Sequence, residues 1–130
     1  MKKFVLTAAV FAAILSASAA FAASGVVNAD EVLANYAKFT QARQQLASLV
    51  QQKEAEVRAE KDAAKQQQLA AEARRQLVQE ERRIMEPVLN DVQAAVAKIA
   101  KAKKLDMVVH SAMVLYGGTD ITKDVIAALK

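Results

Sequence analysis

Few residues of this 130-residue chain have side chains whose types and spacing could do chemistry. His110 is the only histidine and cysteine is absent, so the sequence offers neither a usual zinc-ligand set nor a Cys–His pair for nucleophilic catalysis. Asp120 and Thr122 have the spacing of a ligand pair, but capping of a helix explains them fully. Gly117 and Gly118 lack the residues that follow in a phosphate loop. We therefore predict a protein that is not an enzyme and has no cofactor or metal, with His110 as a structural or exposed turn residue.

The first 22 residues have the composition of a secretory signal peptide. They contain Lys2 and Lys3, no acidic residue, and a short apolar run from residue 4 to residue 15. This run is shorter than the ~20 residues that a membrane-spanning helix needs. It precedes Ala20-Phe21-Ala22, a small-x-small cleavage pattern. We expect cleavage after residue 22, export to a bacterial periplasm, and a soluble mature chain there.

The remaining 108 residues have a composition that limits the function classes. They carry 16 basic and 14 acidic residues, so the net charge of +4 falls to +2. Only Tyr36, Phe39 and Tyr116 remain as aromatic residues, too few for a platform on which nucleic-acid bases stack. Export without cysteine excludes a disulfide framework and a lipoprotein anchor. A chain this small and this rich in alanine is marginal as a single core, which favours burial of surface by oligomerisation.

The middle of the chain has the composition of long helices. Residues 26–86 contain no glycine or proline and are dense in Ala, Gln, Glu, Lys and Arg. Apolar residues at coiled-coil spacing are frequent from residue 32 to residue 50 and again from residue 84 to residue 100, and they are sparse between residues 51 and 83. Either one helix runs from residue 30 to residue 104, or the chain folds back near residues 65–68. We favour the antiparallel hairpin, because it lets the two apolar ends pair at a common base. Pro87 either ends a helix or bends this arm.

The flanking segments predict a small sheet and a last helix. Residues 23–29 are expected to form a first strand, after which Asp30 caps the helical region. Residues 105–110 and 113–116 are β-prone runs, best explained as two strands joined by a tight connection. Asp120 then caps a terminal helix. Because so small a sheet is not stable alone, we expect copies of the chain to complete it. The fold class is α+β and mostly helical, with a coiled-coil-like arm on a small β body.

Taken together, these segments resemble the Skp/OmpH family of periplasmic chaperones over essentially the whole mature chain. The similar stretches are residues 25–33, residues 87–100 and, most specifically, residues 105–109, 114–116 and 120–126. The resemblance implies a homotrimer in which strands of three subunits build the body and three helical arms surround a cavity. It also implies that unfolded outer-membrane proteins are the clients held in that cavity. The arms look short for the family, so a smaller cavity is expected.

The resemblance directs attention to two sets of residues. Between residues 61 and 75 there are four basic residues against two acidic ones, an excess that could attract acidic clients or anionic lipid head groups, or could only solubilise the arm. Between residues 51 and 83, the isolated apolar residues Val57, Leu69, Leu77 and Val78 could be weak client contacts or could pack between helices. The client-contact candidates are Val57, Lys61, Lys65, Leu69, Arg74, Arg75, Leu77 and Val78. The candidates for the trimer body are Val26, Val27, Val108, Val109, Val114 and Tyr116.

Two function classes compete on the sequence alone. The favoured hypothesis is an ATP-independent holdase that keeps unfolded outer-membrane proteins from aggregating. The alternative is a periplasmic coiled-coil spacer or adaptor with a single discrete partner and no effect on unrelated unfolded proteins. Nucleic-acid binding rests on the isoelectric point alone, and it loses most of its support once Lys2 and Lys3 are removed.

Overall fold

A computed structural model describes residues 23–130, and the predicted signal peptide at residues 1–22 lies outside the described residues. The helices are α1 (Ala29–Ala34), α2 (Ala37–Ala59), α3 (Ala63–Ala102) and α4 (Thr122–Ala128). The strands are β1 (Ser24–Val27), β2 (Met107–His110) and β3 (Thr119–Asp120), and a 3₁₀ turn at Ser111–Met113 follows β2. The protein is thus mostly helical with a small sheet, as expected from the sequence.

Helices α2 and α3 pack against each other and run in opposite directions. The start of α2 contacts the second half of α3, where the Tyr36 hydroxyl donates a hydrogen bond to Asp91 Oδ2 at 2.6 Å. The end of α2 meets the start of α3, where Gln66 Nε2 donates to the carbonyl oxygen of Val57 at 3.1 Å. With 23 residues, α2 is about 35 Å long, and the 40 residues of α3 give about 60 Å. Pro87 lies inside α3, which continues through it to Ala102.

The chain reverses direction earlier than expected. Residues 65–68 lie within α3, whereas the non-helical residues are Glu60, Lys61 and Asp62. Asp62 determines this position, because its Oδ1 accepts hydrogen bonds from the backbone N–H groups of Ala64 at 3.0 Å and Lys65 at 3.1 Å. A carboxylate that satisfies the first free amides of a helix is a strong N-cap. The composition of residues 65–68 is polar, but none of their side chains provides such a cap.

Replacement of Asp62 by alanine is expected to destabilise this turn. Loss of an N-cap costs about 0.5–2 kcal/mol, so the thermal midpoint followed by circular dichroism should fall. The matched control is Lys61→Ala, since Lys61 is exposed and lies in the same turn. Equal midpoints for the two variants would show that the Asp62 cap does not define the start of α3.

The helical region is also interrupted close to its beginning. The chain leaves the helical conformation at Asn35 and Tyr36, which separates α1 from α2. Asn28, rather than the expected Asp30, caps α1, because its side chain accepts from the Glu31 N–H at 3.2 Å. The backbone N–H of Asn28 donates to Thr122 Oγ1 at 2.9 Å, which fixes this residue against the start of α4. Asp30 therefore lies within the first turn of α1.

The sheet differs from the predicted pair of connected strands. Strand β1 is central in the order β2-β1-β3, and both neighbours are parallel to it. Residues 113–116 form no strand, since Met113 ends the 3₁₀ turn and the residues after it do not pair with β1. The third strand instead forms at residues 119–120, after Gly117 and Gly118, whose φ angles are 86° and 89°. A Cβ atom at position 118 would collide with Val26, so glycine is required where the chain returns to β1.

A compact apolar core joins the sheet to the helices. Its fully buried side chains are Val32, Ile121 and Val125, and Val27 and Ala95 complete the cluster. Ile121, rather than the expected Asp120, is the N-cap residue of α4, and it makes no side-chain cap hydrogen bond. Asp120 lies one residue earlier, in β3, because it pairs with β1, and its carboxylate accepts from the Thr122 N–H at 2.9 Å. The hydrogen bonds from the Thr122 hydroxyl and backbone lower the pKa of Asp120. A second cluster around Tyr36, Ala42 and Val88 continues the packing into the base of α2 and α3.

Candidate functional site

The candidate site lies on the part of the α2–α3 pair farthest from the sheet, where little is buried. Ala73 is the buried residue of this half, in contrast to the apolar clusters at the base. Two hollows between α2 and α3 are both lined by Ala73. We name them groove A and groove B, and they share Lys53, Val57 and Ala73.

Groove A is the larger hollow and is mainly apolar. Its volume is about 320 Å³. Its apolar lining consists of Val50 and Val57 of α2 and of Ala70, Ala73 and Leu77 of α3. Lys53, Glu54, Arg58 and Arg74 surround its opening. Small alanine side chains opposite larger ones leave the space between the helices open, because they do not fill it at the usual packing density.

Groove B has a different chemical character. Its volume is about 230 Å³. Glu56 and Glu72 contribute two carboxylates, Lys53 contributes one ammonium group, and Leu69 is the one large apolar residue besides the shared Val57. The two sides of the arm therefore present opposite charge excesses.

The structure brings some of the predicted client-contact residues together and separates others. Val57, Arg74 and Leu77 lie in groove A, whereas Leu69 lies in groove B. Four candidates belong to neither groove. Lys61 and Lys65 are exposed near the turn, Arg75 is exposed beside Arg74, and Val78 lines a separate hollow on α3 with Arg82 and Glu86.

Sequence reasoning missed the other residues of groove A, namely Val50, Lys53, Glu54, Arg58, Ala70 and Ala73. Spacing could have identified two of them. Val50 precedes Val57 by seven residues, and Ala70 precedes Leu77 by seven, so each pair occupies equivalent positions of a heptad. An alanine side chain has no charge, no polar group and little apolar surface, so the sequence gives no reason to assign Ala70 or Ala73 to a binding site.

The candidates for the body occupy three different environments. Val27 is buried in the core, and Val26, Val108 and Val109 of the paired strands are half-buried. Val114 is half-buried after the 3₁₀ turn, which the His110 side chain caps by accepting from the Ala112 N–H at 3.0 Å. Tyr116 is 98% exposed, and its neighbours Met113 and Leu115 are 82% and 105% exposed. We name residues 113–116 the exposed apolar segment.

A polar cluster links the start of α2 to the second half of α3, at the base of the arm. Asp91 Oδ2 accepts from the Tyr36 hydroxyl and, at 2.8 Å, from Lys38 Nζ. The hydrogen bonds from Lys38 and Tyr36 lower the pKa of Asp91 below its ordinary value of 3.8. Burial and the bond to Asp91 raise the pKa of Tyr36, and the bond to Asp91 raises that of Lys38. The cluster is therefore best formed with Asp91 ionised and the other two groups protonated.

This cluster predicts a loss of stability in acid. Because the pKa of folded Asp91 is depressed, its contribution is present above the unfolded value and is lost as the pH falls through the lower folded value. Asp91→Asn should reduce the urea midpoint near neutral pH. The difference from the parent chain should shrink as the pH falls below the ordinary aspartate value of 3.8 and through the lower folded pKa, because protonated Asp91 then carries no charge either. A difference that stays constant as the pH is lowered from 7 through this acidic range would contradict this assignment.

Within residues 23–130, no group of three or more histidine, cysteine, aspartate or glutamate residues could hold a metal ion. Nor does any helix of this part of the chain combine the length and apolar character needed to cross a membrane. His110 Nε2 lies 4.0 Å from a carboxylate oxygen of Asp30, a distance that suits a weak pair on the surface of the body.

Comparison with known proteins gives one family match. A family model described as "Outer membrane protein (OmpH-like)" matches residues 60–129, which span α3, the two later strands and α4. A search of curated proteins found no match. The matched residues make up more than half of the chain and include the terminal block on which the resemblance in the sequence mainly rested.

Proposed function

Because the chain belongs to the OmpH-like family, we propose that it binds unfolded outer-membrane proteins in the periplasm and prevents their aggregation without ATP. Membership supports a chaperone role associated with outer-membrane proteins in general, and the family is not one of enzymes. The more specific proposal draws on how this chain distributes its apolar surface. A small body contains the core, and a long arm carries shallow apolar grooves with charged rims.

The observation that carries the proposal is the weak packing of the distal arm. A helix pair built only as a spacer gains from a closed apolar seam, as at the base around Val88. In the distal half, Val50, Val57 and Leu77 remain partly accessible to solvent around groove A. Many shallow apolar sites suit a partner without a defined structure, because each contact is weak and none specifies one sequence.

A holdase function also explains why binding needs no nucleotide. An exported barrel protein exposes alternating apolar strands that pair edge to edge with other copies. A protein that binds the unfolded chain favours that state by mass action, so release follows when the client folds into the membrane.

Self-association into a homotrimer is part of the proposal. Among residues 23–130, strands β2 and β3 are the outer strands of the sheet, and each keeps one unpaired edge. The exposed apolar segment places Met113, Leu115 and Tyr116 side by side in solvent, and soluble monomers rarely expose contiguous apolar patches. Three copies would cover these segments, complete the sheet and place three helical-hairpin arms around a common cavity.

Aggregation of a diluted client tests the proposed function. A urea-unfolded outer-membrane β-barrel protein is diluted into buffer with and without residues 23–130, and light scattering is followed. We expect scattering to fall as the chain is added and to reach its minimum at a small molar excess. Unchanged scattering at high excess would reject the holdase function and favour an adaptor with one discrete partner.

A further inference from the structure

The two sides of the distal arm differ in their capacity to bind a polypeptide. Groove A is apolar inside and carries Lys53, Arg58 and Arg74 against Glu54 at its opening, whereas groove B carries Glu56 and Glu72 against Lys53. A client that approaches the arm therefore meets a basic apolar groove on one side and a smaller acidic hollow on the other.

The ion pairs within the arm leave one of these basic groups available. Arg58 lies 3.5 Å from Glu54, and Lys53 lies 3.1 Å from Glu56. Arg74 is exposed and forms no ion pair with any residue between 23 and 130. Its guanidinium group can therefore bind a carboxylate of another polypeptide, by donating hydrogen bonds to it, without breaking an existing ion pair.

The interior of groove A has room for a client side chain. Its volume of about 320 Å³ exceeds the ~150 Å³ of an apolar cavity that holds benzene. Val57 and Leu77 are half-buried, so part of their apolar surface still contacts water. An apolar side chain inserted between them removes that surface from water, and each buried methylene contributes about 0.8 kcal/mol in small-molecule transfer data.

We propose that groove A is a docking site for unfolded polypeptide segments in which an apolar side chain lies next to an aspartate or glutamate. The apolar side chain enters between Val57 and Leu77, and the neighbouring carboxylate pairs with Arg74. This inference rests on the proposed holdase function and adds a site and a client chemistry to it. It also assigns a direction to the arm, with groove A turned toward the client and groove B away from it.

Charge reversal at two adjacent positions tests the site. Arg74 lines groove A and Arg75 does not, although both are exposed arginines of α3. Arg74→Glu and Arg75→Glu alter the net charge equally, so general attraction to acidic clients predicts equal effects. Docking in groove A predicts that Arg74→Glu raises the concentration needed for half-suppression of client aggregation about three- to tenfold, and that Arg75→Glu raises it clearly less. Circular dichroism should show the same helicity for both variants.

A second measurement reports the site without relying on aggregation. The chain contains no cysteine, so an introduced thiol is unique. Ala70 lines groove A, and the next residue, Ala71, is exposed and does not line it. In Ala70→Cys, a urea-unfolded outer-membrane protein without cysteine should slow the reaction with a maleimide reagent several-fold. In Ala71→Cys, the rate should stay close to that of the free chain.

The possible outcomes distinguish a failure of the proposed docking site from a failure of the proposed holdase function. Failure of the unmodified chain to suppress aggregation would reject the proposed function itself. Suppression by the unmodified chain, with equal effects of the two arginine variants and equal protection of the two thiols, would overturn groove A and keep the function. Selective loss with Arg74→Glu and selective protection of the thiol at position 70 would support both.

Discussion

Ile121→Ala is expected to lower the free energy of unfolding by about 2–5 kcal/mol, the usual cost of removing a buried isoleucine side chain down to alanine. Ile121 is 0% exposed and lies in the cluster that also contains Val32 and Val125. Its backbone N–H donates to the carbonyl oxygen of Val26 at 2.9 Å, so the same residue connects β1 to the start of α4. A small domain has a total stability of about 5–15 kcal/mol, and this substitution removes a large fraction of it.

Urea denaturation followed by circular dichroism measures this effect. The control is Leu89→Ala, because Leu89 is 52% exposed and lies outside the clusters of buried residues. We expect the control to change the free energy of unfolding much less than Ile121→Ala does. Similar losses for both variants would mean that the cluster around Ile121 is not the main source of stability. Both variants are compared at one protein concentration, since self-association adds to the apparent stability.

The double substitution Leu115→Asp and Tyr116→Asp is expected to convert the proposed trimer into monomers. Both side chains are almost completely exposed in the single chain, and neither contributes to its core. Burial of a large apolar side chain contributes about 1.5–3 kcal/mol, and a carboxylate in its place would have to lose its hydration on assembly. Repeated in every subunit, the substitution should abolish association at micromolar concentration.

Sedimentation equilibrium of residues 23–130 gives the mass before and after this double substitution. Val78→Asp is the matched control, since Val78 is exposed but lies on the arm, away from the exposed apolar segment. The unmodified chain and this control should have the mass of a trimer, and the double variant that of a monomer with unchanged helicity. A monomeric unmodified chain, or a double variant that remains trimeric, would contradict the proposed interface.

The long helices were predictable because their signal is spread over many residues. Across residues 26–86 the absence of glycine and proline, together with helix-forming composition, outweighs any single position. The limits of the helices were less predictable, because they depend on single side chains. Asn28 and Asp30 are both good capping residues, and the choice depends on Thr122, 94 residues away along the chain, which binds the Asn28 N–H.

The strand predicted at residues 113–116 illustrates a different difficulty. Its residues have high β propensity, yet Met113 lies in the 3₁₀ turn that follows β2, and the second edge of β1 is occupied by β3. Strand formation is therefore a property of the surrounding structure as well as of the segment. Met113, Leu115 and Tyr116 of this segment remain the leading candidates for contact between subunits, because their side chains are almost completely exposed.

The candidate site was predictable in part. Val57, Arg74 and Leu77 were identified because apolar and basic residues are conspicuous on a polar helix, and they lie together in groove A. Arg75 and Leu69 have the same character in the sequence but lie elsewhere, since one residue along a helix rotates a side chain by about 100°. Contact of residues 61–75 with anionic lipid remains a prediction of the local charge alone.

The most direct measurement is sedimentation velocity of a fluorescently labelled, urea-unfolded outer-membrane protein, diluted into an excess of residues 23–130 without nucleotide. We expect the label to sediment as one soluble species whose mass equals the client plus three copies of the chain. Sedimentation of the label as large aggregates, with the chain itself remaining a separate species, would contradict the proposal that this protein holds unfolded outer-membrane proteins.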